Sequence, residues 1–258
     1  MPPSYHGRFI WYELMTDDVP AAERFYGAVI GWDARAAGVG DGDYRLFAVA
    51  GTEVAGLMAL PEEAAAAGAR PGWTGYVAVD DLDATVQQLR RAGGAVHREP
   101  EEIPGVGRFA IVADPHGAVF ALFRGMEGDE PAVAPMGTPG HAAWRELYAG
   151  ELDPAFDFYA GLFGWTRAEA MDMGPMGIYQ LFAVGDETLG GMMTRPEGVP
   201  VSWAYYFACD GIDAALDRVK ENGGTLLMGP QEVPGGVWII QCLDPQGAPF
   251  AMVGPRAG

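Results

Sequence analysis

The sequence predicts an α+β chain: two similar domains in tandem, each made of strands that alternate with helices. Three observations carry this. The 258-residue chain says nearly the same thing twice. Each copy alternates short strand-like runs with segments of helical apolar spacing. Turn-forming Asp-Pro-x-Gly and Gly-Gly sequences punctuate both copies at matching places.

The repeat is long. Trp11, Glu13 and Leu14 return as Trp144, Glu146 and Leu147, Phe25-Tyr26 as Phe158-Tyr159, and Gly31-Trp32 as Gly164-Trp165, all at an offset of 133. Tyr44 and Leu46-Phe47 return as Tyr179 and Leu181-Phe182 at 135. Trp73, Asp80, Asp83, Gly93-Gly94, Pro100 and Asp114-Pro115 return at 130 as Trp203, Asp210, Asp213, Gly223-Gly224, Pro230 and Asp244-Pro245. A period this long marks a duplicated domain rather than a solenoid, whose repeats run about 20–50 residues. We expect domain 1 over residues 8–123, a Gly/Pro-rich linker over 124–140 and domain 2 over 141–254. Each copy is long enough to bury its own core.

In each copy a strand-like run comes first. A helix follows, capped by Asp17 or Asp18 with Pro20 in its first turn, and Ala22, Phe25, Tyr26 and Val29 form its apolar stripe. Asp153 and Pro154 are expected to play the same parts in the second copy, ahead of Phe156, Tyr159 and Phe163. Strand-like runs at residues 44–50 and 54–60 come next, and Gly38 to Gly42 reads as a hairpin tip rather than a phosphate loop. Then Tyr76-Val77-Ala78-Val79 leads into a helix capped near Asp80-Asp81, with Leu82, Val86 and Leu89 on one face and Gly93-Gly94 at its end. Residues 108–113 and 119–123 read as strands joined by the turn Asp114-Pro115-His116-Gly117.

Composition narrows the function classes. Acidic residues outnumber basic ones 35 to 16, giving a net charge of −19. Such a chain is repelled by nucleic acid and by anionic membrane surfaces. No apolar run approaches the ~20 residues of a membrane span, and the N-terminus shows no signal-peptide segment. We expect a cytoplasmic protein, either a monomer with pseudo-dimeric domains or a homodimer. Cys209 and Cys242 lie in apolar runs and read as buried thiols, since Val79 and Val112 stand at the matching places. Ser4 and Ser202 are the only serines, and no nucleophile motif surrounds either.

The Asp-rich helix start leading to Phe-Tyr and Gly-Trp, the Gly-Gly after the second helix and the Asp-Pro-x-Gly before the last strand occur together in both copies. In combination they resemble the vicinal oxygen chelate superfamily, which includes glyoxalase I, extradiol dioxygenases and bleomycin-resistance proteins. Val54-Ala55-Gly56-Leu57-Met58 and the paired Trp-x-Glu-Leu segments are similar to tandem two-domain actinobacterial members labelled hydroxylase or glyoxalase. The resemblance implies four βαβββ units, paired into two domains whose curled, cup-shaped mixed β-sheets line a pocket. It also implies, in metal-dependent members, one ligand from each of four strands. Here those positions hold Trp11, Thr74 and Ala121 in one copy and Trp144, Ala204 and Ala251 in the other, with no ligand around Gly56 to Met58 or Gly191 to Met193. We therefore expect no metal and no other cofactor.

Strand alternation puts Trp11 with Glu13, and Trp144 with Glu146, on one face. The resemblance makes that face the pocket wall. Glu13 and Glu146 are the candidate catalytic or ligand-contacting groups, because a carboxyl beside an aromatic wall can serve as acid or base; a structural role, hydrogen-bonding backbone or pairing with arginines such as Arg8 or Arg108, is the alternative. Tyr44, Tyr179, Met58, Met193, Tyr76 and Tyr206 are the further candidate ligand contacts, being aromatic or adaptable apolar side chains. Arg108 and Trp238 share one repeat position and would distinguish the pockets if they faced inward. Three functions fit. The first is metal-independent binding of a small, partly aromatic organic molecule, as in bleomycin-resistance proteins. The second is lyase, isomerase or hydroxylase-like chemistry using Glu13 or Glu146. The third is an assembly module with filled pockets.

Overall fold

The computed structural model describes residues 5–38, 44–126 and 134–256. The hairpin tip expected up to Gly42 lies largely outside them, as does the middle of the 124–140 linker. Four modules of one design follow each other. The first is β1 (Phe9–Thr16), α1 (Val19–Ile30), β2 (Asp33–Ala36), β3 (Arg45–Val49) and β4 (Thr52–Ala59). After a short helix α2 (Glu62–Ala66), the second is β5 (Gly72–Ala78), α3 (Leu82–Arg91), β6 (Ala95–Ile103), β7 (Gly107–Ala113) and β8 (Val119–Gly125). The third is β9 (Ala142–Ala149), α4 (Leu152–Phe163), β10 (Thr166–Asp172), β11 (Ile178–Val184) and β12 (Glu187–Thr194). The fourth is β13 (Ser202–Ala208), α5 (Ile212–Glu221), β14 (Thr225–Val233), β15 (Val237–Leu243) and β16 (Pro249–Gly254).

The strands form two eight-stranded mixed sheets, ordered β2-β3-β4-β1-β5-β8-β7-β6 and β10-β11-β12-β9-β13-β16-β15-β14. The α+β class and the βαβββ modules are as the sequence predicts. Within a module the first and fourth strands run parallel, as β1 with β4 and β9 with β12, while hairpins make the other pairs antiparallel.

Local signals explain the helices. Asp18 caps α1 by accepting from Ala21 N at 2.9 Å, and Asp81 caps α3 through Ala84 N at the same distance. The second copy corrects the expected Asp153 cap. Glu151 holds the N-cap position of α4 without a side-chain bond, and Thr194 Oγ1 accepts from Leu152 N instead. Asp153 lies inside the first turn and bonds Arg167, because the helix begins one residue earlier than its proline implies. Gly31 and Gly164 end α1 and α4 in the left-handed region.

The backbone divides into two compact packing units that cut across the sequence repeat: Met1–Ile10, Gly75–Val133 and Trp144–Trp203 in one, and Trp11–Thr74, Ala134–Ala143 and Ala204–Gly258 in the other. In the second of these, Tyr26 on α1 is fully buried. It accepts from Trp73 Nε1 at 2.9 Å and donates to Asp244 Oδ2 at 3.2 Å. The other oxygen of Asp244 accepts from Gln246 N and Ala248 N, so one carboxylate closes the Asp-Pro-x-Gly turn and holds the helix. Trp32, Phe47, Phe207 and Phe250 surround Tyr26 or Trp32 at centroid distances of 5.0–5.9 Å.

The first packing unit repeats the arrangement with the copies exchanged. Trp203 Nε1 donates to Tyr159 Oη at 3.1 Å, Tyr159 donates to Asp114 Oδ2 at 3.2 Å, and Asp114 Oδ1 accepts from His116 N and Ala118 N. Trp165 stacks on Tyr159 and on Phe182. Each tryptophan that ends a first helix also donates to a backbone carbonyl just ahead of a first strand: Trp165 to Gly7 O at 2.8 Å and Trp32 to Gly140 O at 2.7 Å. Gly7 has φ +79°, and a Cβ there would press on the Phe163 carbonyl. These contacts make Trp32 and Trp165 seals between helix and sheet. Both cysteines are free and buried, and burial pushes the Cys242 thiol up to about 12.

Tyr26→Phe and Tyr159→Phe should each destabilise the fold by about 1–3 kcal/mol, because each leaves a buried indole N–H and a buried carboxylate oxygen without the hydroxyl. Thermal unfolding checks this. A loss in only one of the two variants would contradict the equivalence of the two relays.

Candidate functional site

Each first strand divides its side chains between two faces by simple alternation. On β1, Tyr12, Leu14 and Thr16 point into the core, and Tyr12 packs edge-on against Tyr205 at 5.3 Å. Trp11, Glu13 and Met15 therefore share the opposite face. Parallel pairing sets Glu13 beside Gly56 and Met15 beside Met58, so β4 contributes Met58 to that face. Tyr44, just ahead of β3, lies over Gly56, where any Cβ would collide with its ring.

The three polar groups meet. Trp11 Nε1 donates to Tyr44 Oη at 3.2 Å, and the Tyr44 hydroxyl bonds the Glu13 carboxylate. Glu13 is only 7% exposed, while Trp11 and Tyr44 are half-buried. Burial, and next the Glu13 charge, push the Tyr44 phenol far above its ordinary range. Tyr44 thus stays a neutral hydrogen-bonding group at neutral pH, and Glu13 is the ionisable member of the trio.

The other packing unit carries the same trio. Trp144 Nε1 donates to Tyr179 Oη at 2.8 Å, and Tyr179 lies over Gly191. Glu146, also 7% exposed, is paired in register with Gly191, and Tyr148 with Met193. Burial, and next the Glu146 charge, raise the Tyr179 phenol well above its ordinary range. Arg8 bonds Glu187 and Arg108 bonds Asp83, so these two arginines serve other carboxylates.

The remaining candidates lie on second-module strands. Tyr76 is buried with Phe109 and Phe123 at 6.4 and 6.5 Å. Tyr206 accepts from Gln241 Nε2 at 2.6 Å. Gln241 was not singled out from the sequence; the signal was its replacement of Ile111 at the offset of 130. Gly56 and Gly191 were noted only as positions without a metal ligand, whereas the close approach of a tyrosine ring requires them. Arg108 and Trp238 do not distinguish two pockets. They point to the helix side, where Arg108 meets Asp83 of α3 and Trp238 lies under Arg256.

The residues at the family's ligand positions do not fit a divalent ion. The Trp11 and Trp144 N–H groups are spent on tyrosines, and the buried Ala121 and Ala251 carry no donor atom. Among the described residues no three His, Cys, Asp or Glu side chains gather as a metal group. Among the same residues no helix is long and apolar enough to cross a membrane.

Tyr26, Tyr44 and Tyr179 hold their protons above the ordinary 10.0 when folded. Raised folded values stabilise the fold below the unfolded pKa, and that contribution is lost as pH rises towards the folded pKa. Melting temperature should hold through neutral pH and fall above about pH 10. Tyr44→Phe should flatten the fall, and an unchanged slope would contradict the buried placement.

DnrV of Streptomyces peucetius, named as an anthracycline biosynthesis protein, is 34% identical over 266 residues, covering 96% of this chain and 93% of that protein. CFP32 of Mycobacterium bovis, which carries the name glyoxylase, is 32% identical over 248 residues, covering 95% and 94%. Two solved structures share the fold. The Mn(II)-bound glyoxalase from Novosphingobium aromaticivorans has a TM-score of 0.65 at 18% identity, covering 98% of this chain and 83% of its own. The 2,3-dioxygenase LapB from Pseudomonas sp. KL28 has a TM-score of 0.66 at 15%, covering 98% and 94%. Residues 8–122 and 138–252 each match the sequence profile of one family, and the chain belongs to it: the Glyoxalase/Bleomycin resistance protein/Dioxygenase superfamily.

Proposed function

We propose that the chain binds a small, partly aromatic organic molecule without a metal ion, at Trp11–Tyr44–Glu13, at Trp144–Tyr179–Glu146, or at both. The observation that supports this is the twofold occurrence of one trio on the face opposite the core. Its indole and phenol offer flat apolar surface, and its carboxylate offers an acceptor for a hydroxyl or amine on the ligand. Met58 and Met193 supply adaptable apolar contact beside each trio, and Tyr76 and Tyr206 are further contacts. The two domains, over residues 8–123 and 141–254, are proposed as the bearers of these sites. The relative named for anthracycline biosynthesis supports a fused-ring aromatic compound as the ligand class.

An acid–base enzyme is the second reading, favoured by the buried placement of Glu13 and Glu146 beside a phenol that stays protonated. In it the glutamate takes a proton from a bound hydroxyl or carbon acid while the tyrosine and tryptophan fix the carboxylate's position. The relative named as a glyoxylase supports this version.

Titration with 1,4-dihydroxyanthraquinone, followed by quenching of tryptophan fluorescence, tests the binding reading. Glu13→Gln or Glu146→Gln should weaken binding by roughly tenfold or more, because a hydrogen bond to a charged group contributes about 1.5–3 kcal/mol. A double variant that binds as tightly as the parent would refute the role of the carboxylates. Conversion of the bound quinone by the parent, lost in the glutamine variants, would select the enzyme reading.

A further inference from the structure

The two trios differ in what stands beyond the tyrosine. In the second copy, β10 and β11 form a hairpin whose tip is rich in methionine. Met171 pairs in register with Tyr179, and Tyr179 with Met193, which in turn pairs with Tyr148. Cross-strand partners share a face, so Met171, Tyr179, Met193 and Tyr148 run in one row across four strands. Met173 and Met176 continue past the row at the tip, where Met176 is 49% exposed and Ile178 44%. In the first copy Ala37 stands opposite Tyr44, its N–H bonding the Tyr44 carbonyl at 3.0 Å.

The hairpin is built to hold a shape. The register of β10 shifts between Arg167 and Ala170. The buried Gln180 fixes that bulge by donating to the carbonyls of Ala168 at 3.0 Å and Glu169 at 3.3 Å. Bulges bend a strand and re-aim its side chains. The tip is closed by Met173 N to Gly177 O at 2.8 Å and by Asp172 Oδ1, which accepts from Gly174 N at 2.9 Å. Thioethers on an ordered hairpin, Met176 exposed and Met171 and Met173 half-buried, continue from the indole–phenol pair and make a soft apolar surface suited to an aromatic face.

We propose that Met171, Met173 and Met176 extend the Trp144–Tyr179 site so that it accommodates the distal rings of a planar polycyclic ligand, and that the Trp11–Tyr44 site, with Ala37 at that place, takes a shorter one. This rests on the ligand-binding reading above. The occupant is a fused-ring aromatic molecule because the row from Tyr148 to Met171 sets two phenol rings and two thioethers side by side across four strands, with the Glu146 carboxylate two residues from Tyr148 on the same face of β9.

The test compares 1,4-dihydroxyanthraquinone with the single-ring catechol on the full-length protein and on a Met171→Ala/Met173→Ala/Met176→Ala variant. The variant should lose roughly tenfold in affinity for the quinone, since it removes the sulfur–aromatic contacts to the distal rings, and should keep its affinity for catechol. Peroxide footprinting of the unaltered protein gives a second readout that needs no variant. Bound quinone should slow oxidation of Met171, Met173 and Met176 but not of the exposed Met126 and Met136. If the parent binds neither probe, the ligand-binding reading itself fails. If the quinone binds and Glu146→Gln weakens it while the methionine variant does not, the extension alone is overturned. Equal loss for both probes, or conversion of a dimer into a monomer with unchanged quinone affinity, overturns it as well.

Discussion

The structure depends on a buried relay of tryptophan, tyrosine and aspartate that occurs twice and joins the two copies of the repeat. Tyr26 of the first copy bonds Asp244 of the second, and Tyr159 of the second bonds Asp114 of the first. The aspartate does two jobs. One oxygen organises its own turn through two backbone N–H groups, and the other receives the tyrosine. Burial makes the arrangement strict, since a desolvated carboxylate is costly unless its oxygens are occupied. For Asp244, burial raises the carboxyl above its ordinary value even though the backbone and Tyr26 bonds favour the charged form. Phe-Tyr, Trp73 with Trp203, and Asp-Pro-x-Gly are therefore coupled positions: loss of any member strands the others in the core.

That core has a direct consequence for the opposite face of the first strand. The first strand of each copy presents alternate side chains to its two sides. With Tyr12 and Leu14, or Ala143 and Leu147, committed to the core, the Trp/Glu pair has nowhere else to point. Glycine at 56 and 191 then lets the tyrosine lie over the adjacent strand, close enough for the indole to donate to it. In each copy that face carries an indole, a phenol and one carboxylate. Duplication leaves the trio intact in both copies and lets its surroundings diverge: Met15 against Tyr148, Ile111 against Gln241, Ala37 against Met171.

Much of this was legible in the residues. The repeat and the turn signatures gave the modules, because backbone demands at Gly-Gly and Asp-Pro-x-Gly are local. Alternation in β1 and β9 gave the shared face of Trp and Glu for the same reason. The trio itself was not legible. Tyr44 and Trp11 meet through strand register and through a glycine whose purpose is visible only when a ring lies on it. The exchange of partners between copies was hidden too, since a tyrosine repeated at 26 and 159 gives no sign of which aspartate it bonds. The Asp153 cap failed because a Pro-containing helix start admits more than one first residue, and Thr194 from a distant strand supplied the acceptor.

The relays are made between copies rather than within them. Separate expression of residues 8–126, followed by native mass spectrometry and thermal unfolding, is the decisive experiment. This exchange predicts no folded monomer: the fragment should be unfolded, or should dimerise by giving its own Tyr26 to the Asp114 of a second molecule. A monomer that melts cooperatively at the temperature of the whole chain would contradict it.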